Sequence, residues 1–568
     1  MLLFLLLSGW INSARASSFA HTSAWLNLVH YQKTLTGFKS EADGASFFLA
    51  RDGRTNPAAE LAATINALQD TTKTYGRIKA PAACVFPARK LLLERQGHTF
   101  PAVDCPDYQG WRQGLPVTKL SLVFATAYPN NPASMFGHTF LRLNGPGEGK
   151  ALLDYVVNFA ATTGEAGGVE FALFGVFGGY EGHYSLAPYF IKVNEYNHGE
   201  ARDLWEYPVS LGPAAIDLLL AHLWELEAST HFDYYFFDEN CSWQILRLLE
   251  AADPTWKLTE RQPFYVIPGD TVKVLQKAGK LGEPVFRPSL RKTWLARGEP
   301  RTATEKMDGE LQRFRLMERL EGLSETDKEA YHQLLTLRAK DPTRPAEVSV
   351  AAASNRPDQG HGLRRFSLTQ GDGFRRGELR LAQHDLLDQD LGHERWSQLD
   401  VLRASVDEKK GRGILRELTL ADVVSLHPWD KLGWRPSWYL RFGAETPREL
   451  DCEKCTTAAF HAGLGTSWRF IDERVVLGFF GASRAYGYEL TSAAGFKSLL
   501  GVAGERWKIL TTLERLWGIS EGDFPWQLDL AGSWSFNADW ALRVFTTQRL
   551  LERQVRPLES GLSLQFYF

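Results

Sequence analysis

Gly561-Leu562-Ser563-Leu564-Gln565-Phe566-Tyr567-Phe568 is the stretch whose reading decides how the C-terminal part of this chain folds. Leu562, Leu564, Phe566 and Phe568 fall at alternate positions, with Ser563 and Gln565 between them. A period of two sends successive side chains to opposite faces of a strand, so this segment has one apolar and one largely polar face. The same alternation runs through Trp438, Leu440, Phe442 and Ala444, through Phe460, Ala462, Leu464, Thr466, Trp468 and Phe470, and through Trp526, Leu528, Leu530, Gly532, Trp534 and Phe536. Arg441, His461, Gly463, Ser467, Gln527 and Asp529 stand between them. Runs of about 9–11 residues separated by turns are long enough for tilted strands to cross a bilayer, and about twelve are expected between residues 361 and 568. Those near residues 378 and 413 are the weakest.

Alternation alone fits a soluble sandwich, or a lipocalin-like barrel with its apolar side chains turned inward. Two features favour a membrane barrel over residues 343–568. Several runs begin or end on Trp or Phe, as aromatic girdles do, and the chain holds 18 Trp against 4 Met. A terminal aromatic preceded by alternating apolar residues also resembles the assembly signal of bacterial outer-membrane barrels, which makes the barrel-assembly machinery an expected partner in biogenesis. No segment after the N-terminus offers the ~18 apolar residues of a spanning helix. An even strand count returns the C-terminus to the periplasmic side.

At the other end, Met1-Leu2-Leu3-Phe4-Leu5-Leu6-Leu7 followed by Ala14-Arg15-Ala16 reads as a cleaved signal peptide over residues 1–16. An envelope protein can keep disulfides. Of the five cysteines, Cys84 with Cys105 and Cys452 with Cys455 make two local pairs. The first closes a loop of about 20 residues, worth roughly 3 kcal/mol by chain entropy. A single Cys-x-x-Cys does not make a zinc site, and Asp385 to Asp390 lacks calcium-loop spacing, so no metal and no cofactor are expected. A net charge of −3 and a pI near 6.6 give no case for nucleic acid.

Residues 17–115 carry helix-type apolar spacing and read as a helical N-terminal region. From residue 117 the period changes to that of an α+β domain. Leu120–Ala125, His138–Leu143 and Leu152–Phe159 read as strands; Ala214–Glu227 and Ser242–Ala251 read as helices. A helical connector follows, with a long charged helix over Met307–Leu323.

Cys241, in Asp238-Glu239-Asn240-Cys241-Ser242-Trp243, has no local partner and opens an apolar-periodic helix. A helix N-terminus stabilises a thiolate through its dipole and free N–H groups. His138, at the start of a strand after Gly137, is the candidate base, because a cysteine nucleophile is activated by a nearby imidazole. Folding the strands about Gly145 to Gly149 sets His138 opposite residues near Val156 to Asn158. Asn158 is then the polar group able to orient the ring, with Tyr155 and Asp154 as weaker alternatives. N–H groups at the helix start, near Ser242, are candidates for an oxyanion site. Asn240 and His183 are secondary candidates. The plain alternative is an inert buried thiol and a structural histidine. The glycine-rich, aromatic stretch at 167–190 reads either as a lid over the site or as a buried hairpin. There is no phosphate-binding glycine loop and no Gly-x-Ser-x-Gly elbow.

Ser134-Met135-Phe136-Gly137-His138-Thr139-Phe140-Leu141-Arg142 and Phe237-Asp238-Glu239-Asn240-Cys241-Ser242, with Ile267-Pro268-Gly269-Asp270-Thr271, resemble the Lnb N-terminal periplasmic domain family over about residues 115–280. The resemblance implies a circularly permuted papain-like (NlpC-type) α+β fold at 116–280; the sequence pattern alone adds a helical connector at 281–342 and a C-terminal antiparallel barrel of about twelve strands. The resemblance also implies His138 as base, Cys241 as nucleophile, and acyl transfer through a thioester. The expected function is therefore a periplasmic cysteine acyltransferase or acyl hydrolase anchored in the outer membrane, acting on phospholipid or lipoprotein substrates. Related permuted folds make a peptidoglycan amidase or endopeptidase the alternative. A non-enzymatic barrel with a scaffolding domain is the third reading. The acyltransferases of the family are anchored by transmembrane helices, which this chain replaces with a barrel.

Overall fold

The computed structural model describes residues 18–568 except 129–135, 148, 163–178, 236–238, 263–264, 321–322, 344–347, 349, 351–355, 431–434, 448–454, 520–523, 552–553 and 556. The expected leader, Cys452 and the first part of the glycine-rich stretch lie outside the described residues. The chain divides into two units, Met1–Ala125 with Gly137–Arg287, and Thr126–Phe136 with Pro288–Phe568.

The first unit is built on a seven-stranded antiparallel sheet. Its strands are β1 (Lys119–Ala125), β2 (His138–Asn144), β3 (Tyr155–Ala161), β4 (Tyr180–Pro188), β5 (Leu204–Val209), β6 (Phe232–Tyr234) and β7 (Val285–Arg287), in the order β6-β4-β3-β2-β1-β5-β7. Strand alternation divides the side chains between two cores. Leu122, Phe124, Leu141, Leu143, Val157 and Phe159 meet the helices on one face. Val123, Ala125, Phe140 and Val156 meet Tyr189, Val193 and Tyr196 on the other. The covering helices are α1 (Pro213–Ser229), α2 (Cys241–Ala252) and α3 (Pro268–Lys277); α2 lies across β2 and β3.

The N-terminal region shares the first of these cores rather than standing apart. Its helix Pro57–Gln69 opens on Pro57 and is capped by Asn56, whose side chain accepts from the Ala59 N–H. Cys84 and Cys105 are joined, as their spacing suggested. The all-helical expectation for residues 17–115 needs one correction. Tyr31–Thr34 and Gly37–Ser40 form a hairpin, with Thr34 paired to Gly37 across a two-residue turn. Gly37 takes a positive φ there, which a helix does not allow. Trp243 and Arg247 on α2 both donate to the buried Glu41 just after this hairpin, so the N-terminal segment braces the helix that begins at Cys241.

The second unit begins with helices Leu290–Leu295, Ala303–Leu320 and Glu325–Lys340 and ends in a closed barrel. Its twelve strands are β8 (Arg365–Gly371), β9 (Phe374–His384), β10 (Ser397–Lys409), β11 (Arg412–Ser425), β12 (Ser437–Glu445), β13 (Thr457–Phe470), β14 (Val475–Tyr486), β15 (Ser492–Ala503), β16 (Trp507–Gly518), β17 (Trp526–Ser535), β18 (Trp540–Leu551) and β19 (Glu559–Tyr567). Each pairs antiparallel with the next, and β8 with β19 closes the ring. The weakly patterned segments near 378 and 413 are full strands. Closure leaves no open edge, which is the condition for strands to enter lipid.

The seam between β8 and β19 settles which face is apolar. Leu368 opposite Leu564, and Phe366 opposite Phe566, point outward, with Leu368 57% exposed. Ser367 opposite Gln565, and Thr369 opposite Ser563, point inward and are buried. The Thr369 and Ser563 hydroxyls lie 2.8 Å apart. The outer surface continues with Phe442, Phe460, Leu464, Phe479, Leu528 and Val544, while Arg380, Arg403, Asp400 and Glu514 lie inside or against the strands. A lipocalin-like barrel would show the reverse polarity. This is the polarity of an outer-membrane barrel.

Candidate active site

β2 starts at His138 because Gly137 turns the chain into it. Gly137 has a φ of +93°, and a Cβ there would meet the Phe124 ring at 2.9 Å. β2 and β3 run antiparallel, with Leu141 opposite Val157 and Leu143 opposite Tyr155. Continuing that register sets Phe140 opposite Asn158, so Asn158 lies diagonally from His138 on the same face. Asn158 Oδ1 stands 2.7 Å from His138 Nε2. An amide oxygen only accepts, so Nε2 carries the proton and Nδ1 has the lone pair. The His138 ring is near enough to the Cys241 thiol for each to shift the protonation of the other. With Nε2 engaged by Asn158, Nδ1 is the nitrogen available to the sulfur.

Cys241 is the first residue of α2 and is buried. Asn240 caps this helix. Its Oδ1 accepts from the N–H groups of Ser242 at 2.9 Å and Trp243 at 3.1 Å, while its Nδ2 donates to the Val266 carbonyl at 2.6 Å. Asn240 therefore fixes the helix start from both sides. The Ser242 N–H named as an oxyanion donor is engaged in this cap. The Ser242 hydroxyl lies 3.9 Å from the sulfur and 3.4 Å from the Thr139 hydroxyl.

Burial pushes the Cys241 thiol up, but the His138 charge and hydrogen bond, the Thr139 N–H and the Ser242 hydroxyl outweigh it and bring it down to about 7. Burial pushes His138 down; the neighbouring thiolate and the Asn158 contact outweigh that and hold it above its ordinary value. Each group favours the charged form of the other, which is the condition for a thiolate–imidazolium pair. Cys241 is the one free cysteine among the described residues; Cys455 is disulfide-bonded.

Aromatic side chains wall the pair. The Tyr196 ring centroid is 5.4 Å from that of His138, and the Arg202 guanidinium lies 4.9 Å from the Tyr196 ring centroid. Tyr234, half-buried, is raised by desolvation and by the Cys241 charge. Neither Tyr196, in a π-helical segment over Val193–Gly199, nor Tyr234 was legible as a site residue. The other sequence candidates sit elsewhere. Tyr155 pairs opposite Leu143 and Pro188 and is exposed. Asp154 holds Arg142 at 2.7 Å. His183 lies opposite Ala160, with Nε2 3.4 Å from Glu181.

Residues 107–278 match the family model of the Lnb N-terminal periplasmic domain. Two flanking segments match domains of unknown function, residues 17–96 (DUF7843) and 354–567 (DUF7840). No match to a curated protein was found. Among solved structures, the chain is similar to the KdgM porin at 14% identity, with a TM-score of 0.24, covering 36% of this chain and 98% of the porin. An outer membrane channel from Pseudomonas putida F1 is similar at 11% identity and a TM-score of 0.24, covering 39% and 100%. The Acinetobacter baumannii outer membrane protein Omp33 is similar at 10% and 0.20, covering 36% and 98%. The chain combines a segment that matches the Lnb N-terminal periplasmic domain with a closed twelve-stranded barrel whose apolar face is outward.

Proposed function

We propose that the Lnb domain is a cysteine acyltransferase or acyl hydrolase acting on lipid or lipoprotein substrates, with the barrel as its anchor in the outer membrane. The observation that carries this reading is His138, oriented by Asn158 at 2.7 Å and interacting electrostatically with Cys241, whose thiol it helps bring down to about 7. An inert structural cysteine has no need of an oriented imidazole.

In this mechanism the Cys241 thiolate attacks the ester carbonyl of an acyl donor, with His138 holding the thiol proton. The carbon–sulfur bond forms and the carbonyl oxygen becomes an oxyanion. Since the Ser242 N–H is held by Asn240, the Cys241 N–H at the first position of the helix is the donor assigned to the oxyanion. Collapse breaks the ester bond, and His138 protonates the departing alcohol, leaving an acyl thioester. An amine or water then attacks the thioester carbonyl; His138 takes its proton and returns it to the sulfur. An amine acceptor gives an amide, and water gives a free acid. The aromatic surroundings of His138, Phe140 and Tyr196 at one side of the pair favour an acyl substrate.

A second reading, peptidoglycan hydrolysis, draws on a polar cavity lined by Lys33, Lys39, Asp43, Arg54, Asp233 and Glu239, close in sequence to Cys241. Reactivity of Cys241 in the full chain in detergent separates the readings. A lipid-tailed thiol probe should label faster than a plain one, and His138→Ala should abolish the difference. Equal slow labelling, unchanged by His138→Ala, would leave the domain as a scaffold. Release of peptides from peptidoglycan without lipid-probe preference would favour the second reading.

A further inference from the structure

The barrel holds a second cluster with chemistry of its own, in the loop 385–396 between β9 and β10. Asp385, Asp388 and Asp390 of this loop are buried among the strands. Asp385 accepts from Arg380 at 3.1 Å and from Arg543 at 2.8 Å. Asp388 lies 2.7 Å from Arg380 and accepts from Tyr567 at 2.5 Å. Lys508 reaches Asp390 at 2.5 Å. These contacts fold the loop against the first and last strands, where Arg365 is paired with Tyr567.

Three imidazoles stand within this frame. His361 precedes β8, His384 ends β9, and His393 belongs to the loop. One ring nitrogen from each lies within 4.8 Å of the others. The ring centroids are 4.3 Å apart for His384 and His393, and 4.6 Å for His361 and His393. His361 Nδ1 faces the Gly362 carbonyl at 2.7 Å and must donate to it, so its Nε2 carries the lone pair. That Nε2 lies 2.9 Å from His384 Nδ1, which therefore supplies the proton between them. His384 Nε2 is then also a lone-pair nitrogen, and it is buried without a hydrogen-bond partner. A buried acceptor left unsatisfied is unfavourable and calls for a ligand. Asp388 Oδ2 stands 3.8 Å from His384 Nδ1 and 3.9 Å from His361 Nε2, a carboxylate beside the imidazoles. A backbone carbonyl fixing one ring nitrogen so that the other faces inward is how metal-ligating histidines are held.

We propose that His361, His384 and His393 bind one divalent transition-metal ion of the zinc class, which ties the 385–396 loop to the barrel wall; on binding, the ion replaces the His384 Nδ1–H at the His361 Nε2 lone pair, and that N–H turns to the neighbouring Asp388 carboxylate. Neutral imidazoles select borderline cations of this kind over magnesium or calcium, which take oxygen ligands. The site is separate from the thiol chemistry and stands whether or not Cys241 is catalytic.

The test is a Co2+ titration of the full chain in detergent, carrying Cys241→Ser so that the free thiol cannot contribute. One equivalent bound, with visible bands of nitrogen-ligated Co2+ that Zn2+ abolishes, is expected. His393→Ala and His384→Gln should each weaken Co2+ binding more than about tenfold. His332→Ala, at an exposed position in the helix Glu325–Lys340, should leave binding unchanged. Heat-modifiable gel migration checks that the barrel has formed. Absence of stoichiometric Co2+ uptake by the Cys241→Ser chain would overturn the proposal without reference to the variants. Uptake undiminished in folded His393→Ala and His384→Gln would overturn it as well.

Discussion

Asn158 Oδ1 lies 2.7 Å from His138 Nε2, and this one contact decides which ring nitrogen is left for Cys241. Without it the imidazole is free to rotate or to change tautomer, and Nδ1 is no longer held toward the sulfur. Asn158→Ala should therefore leave the thiol present but slow its alkylation by about tenfold or more, within the range that a positioned general base contributes. Asn158→Gln, which keeps the amide but lengthens the arm, should restore part of the rate. Stopped-flow alkylation of the two variants checks this; rates equal to that of the unaltered chain would remove Asn158 from the machinery.

The pH dependence of Cys241 has a definite sign. Burial raises the thiol, and His138, the Thr139 N–H and the Ser242 hydroxyl bring it down to about 7, below the value of 9.0 for an unperturbed thiol. Between these two values the unfolded chain binds more protons than the folded one, so the contribution to stability rises with pH across that window. It is fully present above the unfolded value and is lost as pH falls through about 7. Alkylation should show the same inflection near 7. In His138→Ala the burial effect has less to oppose it, and the inflection should move upward; an unmoved inflection would show that the imidazole does not tune the thiol.

The grouping of Cys241, His138 and Asn158 into one candidate site was legible because each member carries a local signal. Cys241 follows a capping Asn and opens an apolar helix, His138 follows a glycine with positive φ, and Asn158 comes within reach through one hairpin. The barrel was legible from its period of two, even in its weak strands, because lipid demands the same alternation around the whole ring. What stayed hidden depends on distant parts of the chain. The Thr139 N–H has no sequence signature, Tyr196 sits in a π-helical segment, and the short strand Phe232–Tyr234 exists only because β4 pairs with it. His361, His384 and His393 share no ligand spacing, and only the folding-in of loop 385–396 brings them together. The Tyr31–Ser40 hairpin was overlooked because its neighbours on both sides are helical.

The barrel's polarity yields a paired prediction on one strand. Leu564 faces outward opposite Leu368 and Leu542, whereas its neighbour Ser563 is buried and faces inward. Leu564→Arg should destabilise the barrel by about 2–4 kcal/mol if it lies near the bilayer midplane, because a lipid-facing cation loses its hydration. Leu564→Val should be close to neutral. Urea titrations of folding into vesicles, read by gel mobility, measure both; equal tolerance of Arg and Val at this position would mean that the outer face does not meet lipid.

Asn240 offers the sharpest separation of structural from chemical effects at the site. Its side chain accepts from the Ser242 and Trp243 N–H groups and donates to Val266, so it caps α2 and ties it to the segment before α3. Asn240→Ala loses the cap, worth about 0.5–2 kcal/mol, and leaves the Val266 carbonyl without this donor. Asn240→Asp keeps the acceptor, and adds a negative charge that suits the helix N-terminus. That same charge stands next to Cys241 and should raise the thiol's pKa by disfavouring the thiolate. The two variants should therefore diverge. Asn240→Ala should speed hydrogen exchange across the first turn of α2, whereas Asn240→Asp should keep that protection better while slowing alkylation near neutral pH. Hydrogen exchange read by mass spectrometry, beside the alkylation rate, checks the pair. If both variants lost protection and reactivity in parallel, Asn240 would act through the fold alone.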